Sequence, residues 1–338
     1  MRRQIIWLCL AAVLLVAAVP GFSDTAYSGK GGFDSLVSAM AEGLRQVYCE
    51  EPELSIGART CVVDNFTWAD SGIGTAFSDY LRSAMEDALM RVDEFDLVIR
   101  PEDAVFFGEE ARELLDGERG AESSLPMSAY RIFGSYEVSG GKVLLDVKIF
   151  SEVFSRLMAD IPLSMELEEI PRGLELYPPN RDVVTDVSSE LNDLYSGDDD
   201  FQVFVSTNRG EGGVFTEGEY LKLYLLSSRD CFLKVYHIDV HGRTTLIFPN
   251  RYEKNNFLPG REVLEFPGSR SPFQFRIVPP YGTEMIKVVA STRQFSSLEE
   301  DFADLGYATR GIFIEKADEE STEVMAEGLV HFTILKKE

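Results

Sequence analysis

Few residues in this chain are of a type and spacing that could do chemistry. The 338 residues include three histidines, His237, His241 and His331. His237 and His241 are four apart, a spacing that makes a metal pair on a helix. On a strand, residues four apart point the same way but stand about 13 Å from one another, too far to share an ion without a turn. The flanking sequence reads as strand and turn, so no metal is expected there. No serine sits in a Gly-x-Ser-x-Gly elbow, and no cysteine has a histidine in a context that suggests a thiol enzyme. Gly29-Lys30-Gly31-Gly32 lacks the spacing of a phosphate loop and follows no strand. With 57 acidic residues, carboxylate pairs such as Glu50-Glu51 and Glu168-Glu169 carry no information. The expectation is a protein that is not an enzyme, with no catalytic, metal or cofactor site.

The aromatic residues suggest binding instead. Tyr252, Phe257 and Tyr281 fall in expected loops, where binding residues concentrate, and are the candidate binding-face residues. Of the aromatics of this region, Tyr220, Tyr224, Tyr236 and Phe248 among them, alternate members are expected to fill a core between sheets.

The first residues bear on compartment. Arg2 and Arg3 precede an apolar run of about 15 residues, Ile5 to Val19, the length of a signal-peptide core and short for a membrane span. Pro20 and Gly21 break it, and Gly21 and Ser23 occupy the −3 and −1 positions of a cleavage before Asp24. Residues 1–23 are therefore expected to be a cleaved signal peptide, a retained anchor being the alternative, with no membrane span after cleavage. Cleavage takes the net charge from −25 to −27. That charge excludes nucleic acid, which is bound through lysine and arginine clusters, and adsorption to anionic lipid. Of the four cysteines, Cys49, Cys61 and Cys231 remain, an odd number. A Cys49–Cys61 disulfide would stabilise by about 3 kcal/mol in the chain-entropy model; the alternative is that Cys61, in an apolar run, is a buried thiol.

The elements that would position these residues follow from periodicity. Phe33 to Tyr48 carries a helical stripe, Arg59 to Phe66 reads as a buried strand, and a second stripe runs Ile73, Phe77, Leu81, Met85, Leu89. A strand at Phe95 to Ile99 and a helix opening at Pro101 come next. A hairpin turns at Gly140-Gly141 between Arg131–Val138 and Lys142–Phe150, and Arg156 to Met165 is extended. Asn180 to Ser196 is helical. Residues 24–196 thus form an α/β layered domain with a mixed sheet. Gly197-Asp198-Asp199-Asp200 is an acidic linker rather than a cation site. Residues 201–295 hold seven strand candidates separated by turns, an antiparallel β-sandwich. The tail, 296–338, has an acidic helix at Leu298–Leu305 and, at Val330–Leu335, an edge strand. The fold class is α+β.

Between Phe201 and Ser291 a series of motifs occurs in order: Thr216-Glu217-Gly218-Glu219-Tyr220-Leu221, Phe232 to Asp239, His241-Gly242, Leu246-Ile247-Phe248-Pro249-Asn250, Phe257-Leu258-Pro259-Gly260, Phe266-Pro267 and Pro279-Pro280-Tyr281-Gly282. On these the second domain resembles the domain of unknown function 4384, with Cys231 where a glycine is usual. The motifs are read as specifying turns and strands, and not chemistry. The first domain, through Cys61–Phe66, Ser71-Gly72-Ile73-Gly74, Leu97-Val98-Ile99 and Arg131–Tyr136, resembles the envelope group of the TolB N-terminal domain, the curli-secretion CsgG family and FlgO-type proteins. That resemblance implies a partner-binding module in the periplasm or on the periplasmic face of the outer membrane, and partners that are envelope proteins. The expectation is an accessory or scaffold protein for a cell-envelope or surface structure. A peptidoglycan or envelope-glycan binding module is the alternative, and a metal-assisted hydrolase at His237 and His241 the third reading.

Overall fold

The structure, a computed structural model, describes residues 60–69, 71–90, 96–97, 107, 111, 114, 130–151, 156–192, 201–295 and 324–337. Residues 1–23, the stripe at 33–48, Cys49, the linker at 197–200 and the helix at 298–305 lie outside the described residues. Among those described, no helix is long and apolar enough to cross a membrane.

The first unit is a five-stranded mixed sheet. Its strands are β1 (Thr60–Trp68), β2 (Asp96–Leu97), β3 (Tyr130–Ser139), β4 (Lys142–Ser151) and β5 (Arg156–Glu166), ordered β2-β1-β3-β4-β5. β1 runs parallel to β2 and β3, while β3, β4 and β5 are antiparallel. Helix α1 (Ala76–Leu89) lays the expected stripe on this sheet. Phe77, Leu81, Met85 and Leu89, all buried, share one core with Val63, Phe66, Ile132, Leu145 and Val147. Burying each such side chain contributes roughly 1.5–3 kcal/mol. The helix starts at Thr75, whose hydroxyl accepts the Ser78 N–H at 3.2 Å while Ser78 Oγ accepts the Thr75 N–H at 3.0 Å, a reciprocal cap. Tyr136 ties this cap to the sheet through its hydroxyl, which bonds Thr75 and donates to the Leu176 carbonyl. Burial pushes the Tyr136 phenol up to about 12.

The second unit is built on a large sheet. It comprises β7 (Gly213–Thr216), β10 (Cys231–Ile238), β11 (Thr244–Phe248), β15 (Gly282–Ser291) and β16 (Met325–Leu335), ordered β11-β10-β15-β16-β7, with β12 (Phe257–Leu258) also on β10. A three-stranded sheet joins β6 (Val203–Thr207), β9 (Leu223–Ser227) and β13 (Val263–Phe266), and a pair joins β8 (Tyr220–Leu221) to β14 (Phe275–Arg276). Leu223, Leu225 and Phe266 from the smaller sheet and Val235, Val288 and Phe332 from the larger share one apolar core. The chain as described is mostly strand, with mixed and antiparallel sheets.

Three sequence expectations change. β16 is an interior strand between β15 and β7, in register with β15 from Met325 to Ile334, and not an edge. Alternation hid this: both faces are covered, so Val330 to Ile334 are five consecutive buried residues, and Glu327 faces the buried Lys287. β7 has no counterpart among the expected strands, and it pairs parallel to β16, so the sheets are not wholly antiparallel. Phe273–Val278 contributes only the two residues of β14.

The two units are closely joined. Asn65 on β1 donates through Nδ2 to the carbonyls of Arg209 and Glu211, the latter at 2.9 Å, and Thr333 Oγ1 donates to the Gly74 carbonyl at 2.6 Å. Gly74 lies so close to Gly212 that a Cβ on it would stand 1.9 Å from the Gly212 carbonyl oxygen. Helix α2 (Arg181–Asn192), expected as part of the first unit, packs Val183 and Val187 beside Gly242 of the second. Asn180, just before it, bonds Val240 and Thr283. Phe107, Ala111 and Leu114 gather with Phe204, Tyr224 and Leu226 on the small sheet, at helical spacing of four and three.

Candidate functional site: a charged cavity beside the first sequence motif

A cavity of about 670 Å³ opens where β7, β8, β14 and the end of β16 meet, lined by Thr216, Glu217, Gly218, Glu219, Arg276 and Lys337. Four of the six belong to the motif Thr216-Glu217-Gly218-Glu219. Its local structure is a tight turn: the Glu219 N–H donates to the Thr216 carbonyl at 3.1 Å, with Gly218 at φ +96° in the position that demands a residue tolerant of positive φ. Backbone bonds then fix this turn against two distant segments. Glu217 N–H donates to the Leu335 carbonyl at 3.1 Å, which carries Lys337 to the rim. Gly218 N–H donates to the Ile277 carbonyl at 3.0 Å and Ile277 N–H to the Glu219 carbonyl at 2.8 Å, which places Arg276.

The two signs of charge are treated differently. Glu219 is occupied: Oε1 accepts from Arg209 Nη2 at 2.8 Å and Oε2 from the Thr216 N–H at 2.7 Å. Arg209 in turn donates to the Val214 carbonyl and lies 5.1 Å over the Phe215 ring. Glu217 accepts the Tyr281 hydroxyl at 2.7 Å, a bond that holds the phenol proton and raises the Tyr281 pKa. By contrast, Arg276 and Lys337 have no ion-pair partner within 4.0 Å among the described residues. Glu219 is thus engaged through both oxygens and Glu217 through one, and the donors left for a guest are cationic. On the outer face, Tyr220 stands directly opposite Arg276 in the β8–β14 pair, and Val278 lies two residues further on. Both are half exposed, at 50% and 54%.

Of the three candidate binding-face residues, only Tyr281 meets this cavity, as the support of Glu217 and not as a stacking platform. Tyr252 is 49% exposed, with its ring 5.5 Å from Phe273 and its hydroxyl accepting from Arg251 Nη2 at 2.6 Å. Phe257 is 39% exposed on β12, against Phe232. Phe232 lies opposite Ser291, whereas Tyr281 precedes Gly282 at the other end of β15. At about 3.3 Å per residue the two are roughly 30 Å apart. The structure does not bring the three together.

The histidines also separate. His237 Nε2 bonds Glu284 Oε2 at 2.7 Å, His241 is exposed in the turn after β10, and His331 is buried on β16. Among the described residues no three of His, Cys, Asp and Glu are grouped to hold a metal ion. Cys61 is buried in the first core, and its suggested partner Cys49 lies outside the described residues. Sequence reading missed Glu217, Glu219, Arg276 and Lys337. The motif around Gly218 was visible, but its closure with residues 60 and 120 positions later was not.

Residues 214–294 match the family described as Domain of unknown function (DUF4384), which bears out the resemblance read from the motifs between Phe201 and Ser291. Solved structures similar to parts of the chain include the LpoB C-terminal domain from Salmonella enterica, at 14% identity and a TM-score of 0.25, covering 41% of this chain and 99% of that one. The LpoB C-terminal domain from Escherichia coli matches at 12% identity and a TM-score of 0.25, covering 40% and 96%. TolB from Acinetobacter baumannii, of the group that the first unit resembles in sequence, matches at 7% identity and a TM-score of 0.19, covering 69% of each chain. No curated protein matches.

Proposed function

We propose that this is an exported, non-catalytic protein of the cell envelope that acts as an accessory or scaffold in assembling an envelope or surface structure, and that the cavity is where it engages a partner. The observation that carries the reading is the pair of cations, Arg276 and Lys337, on a rim whose carboxylates are already bonded. Beside them stand an exposed tyrosine and valine, and tyrosine and arginine are enriched at the energetic centres of protein interfaces. The hydrogen bonds that join the two units support a scaffold rather than two independent modules. The signal-type segment at 1–23 and the resemblance of the first unit to envelope proteins support the compartment. The glycan-binding reading has less support, since Tyr252, Phe257 and Tyr281 do not form one platform.

In-cell cross-linking of tagged full-length protein, followed by purification from the envelope, tests this. Reproducible recovery of envelope proteins is expected. Recovery of glycan fragments alone, or of nothing above a tag-only control, would overturn it.

A further inference from the structure

We propose that the cavity is a receptor for a single carboxylate of a partner peptide, received by Arg276 and Lys337, with an apolar neighbour of that carboxylate lying on Tyr220 and Val278. This rests on the reading of the cavity as a docking site and names its guest.

The charge balance selects the ligand class. Arg276 offers a planar fork of donors that suits a carboxylate or a phosphate, and Lys337 adds a point charge. With Glu219 offset by Arg209, Glu217, Arg276 and Lys337 leave a net charge of +1, which one carboxylate neutralises. A dianionic or polyanionic group would leave charge uncompensated against Glu217 and Glu219 in the same wall, inside a chain of net charge −25. A cation is disfavoured for the converse reason: both Glu219 oxygens already hold Arg209 and the Thr216 amide, and Arg276 and Lys337 would repel it from Glu217. The apolar contribution follows from register. Tyr220 and Arg276 are cross-strand neighbours on one face, so a side chain adjacent to the bound carboxylate meets the exposed Tyr220 ring. A free sugar would have no use for that arrangement, since no second aromatic ring stacks with Tyr220 among the described residues.

The test is binding of a fluorescein-labelled peptide of alternating leucine and glutamate to the purified full-length protein, read by anisotropy. Three forms are compared: free C-terminus with glutamates, amidated C-terminus with glutamates, and amidated with glutamine in place of every glutamate. The first two are expected to bind, weakening as salt rises, and the third is not. If only the first binds, the guest is a chain end, and if both bind equally, it is an acidic side chain. Arg276→Gln and Lys337→Gln are each expected to weaken binding roughly ten- to a hundredfold, the worth of one charge-assisted hydrogen bond. Both residues are exposed, so the variants keep the fold, which circular dichroism checks. Equal binding of the glutamine peptide, no binding by the parent protein, or variants that bind as well as the parent would each overturn the proposal. Envelope cross-linking with Arg276→Gln separates the two readings. Partners recovered unchanged leave the scaffold function standing and remove the cavity from it.

Discussion

His331 gives this protein an acid sensitivity that can be worked out from its place in the fold. It lies on β16, facing away from the shared core, two residues before Thr333, whose hydroxyl reaches Gly74 of the first unit. The side chain is 7% exposed, and burial lowers its pKa from 6.5 to about 4. In the unfolded chain the imidazole protonates near 6.5, whereas in the folded chain it stays neutral down to about 4. Between those values the unfolded state binds more protons, so stability is lost as pH falls through that window and levels off below it. A difference of about 2.5 pH units at 1.36 kcal/mol each is about 3 kcal/mol. The measurement is urea unfolding at a series of pH values, for the parent protein and for His331→Leu, which keeps the site filled and removes the titration. Asp160 works in the opposite direction over part of the same range, because its hydrogen bond to Asp146 and burial raise it to about 6. That contribution is common to both proteins and cancels in their difference. The parent-minus-variant stability is expected to fall by about 3 kcal/mol from pH 6.5 to pH 4. A difference that stays flat across the window would refute the burial of a neutral imidazole at this position.

Three further outcomes test the large sheet of the second unit and its junction with the first. Lys287 and Glu327 form a buried ion pair at 2.7 Å, so Lys287→Met alone should cost about 3–5 kcal/mol by stranding the carboxylate, and adding Glu327→Leu should recover most of it in a double-mutant cycle. Gly74→Ala drives a methyl group to 1.9 Å from the Gly212 carbonyl oxygen, so it should destabilise by roughly 3 kcal/mol or more and expose the 209–213 loop to limited proteolysis; an unchanged digestion pattern would count against the close approach. Asn180→Ala removes three bonds, to the Val240 and Thr283 carbonyls and from the Thr283 N–H, and should lower stability by about 3–4.5 kcal/mol in denaturant titration, at about 1–1.5 per bond with partners left unpaired.

Much of the local architecture was legible from residue order. The stripe Phe77, Leu81, Met85, Leu89 is a helix face because a period of 3.6 residues sets which side chains meet a sheet, and that period is written in the chain. The glycine turn at Gly140-Gly141, β11 from Thr244 to Phe248, and the motif series matching residues 214–294 were legible for the same reason: each is decided within a few residues by sterics, turn geometry and alternation. Pairing is different in kind. Whether Val330 to Leu335 lies at an edge or inside a sheet depends on which strands flank it, and β7, only four residues long, carries too little pattern to announce itself. The cavity is the extreme case. Glu217, Arg276 and Lys337 meet through the Leu335 and Ile277 carbonyls, and no spacing in the chain encodes which carbonyl an amide will find. The same holds for His331, whose burial follows from what packs on β16 and not from its neighbours in the chain. Local periodicity is a property of the sequence, while burial and ionisation belong to whatever packs on top, and only the tertiary structure decides that.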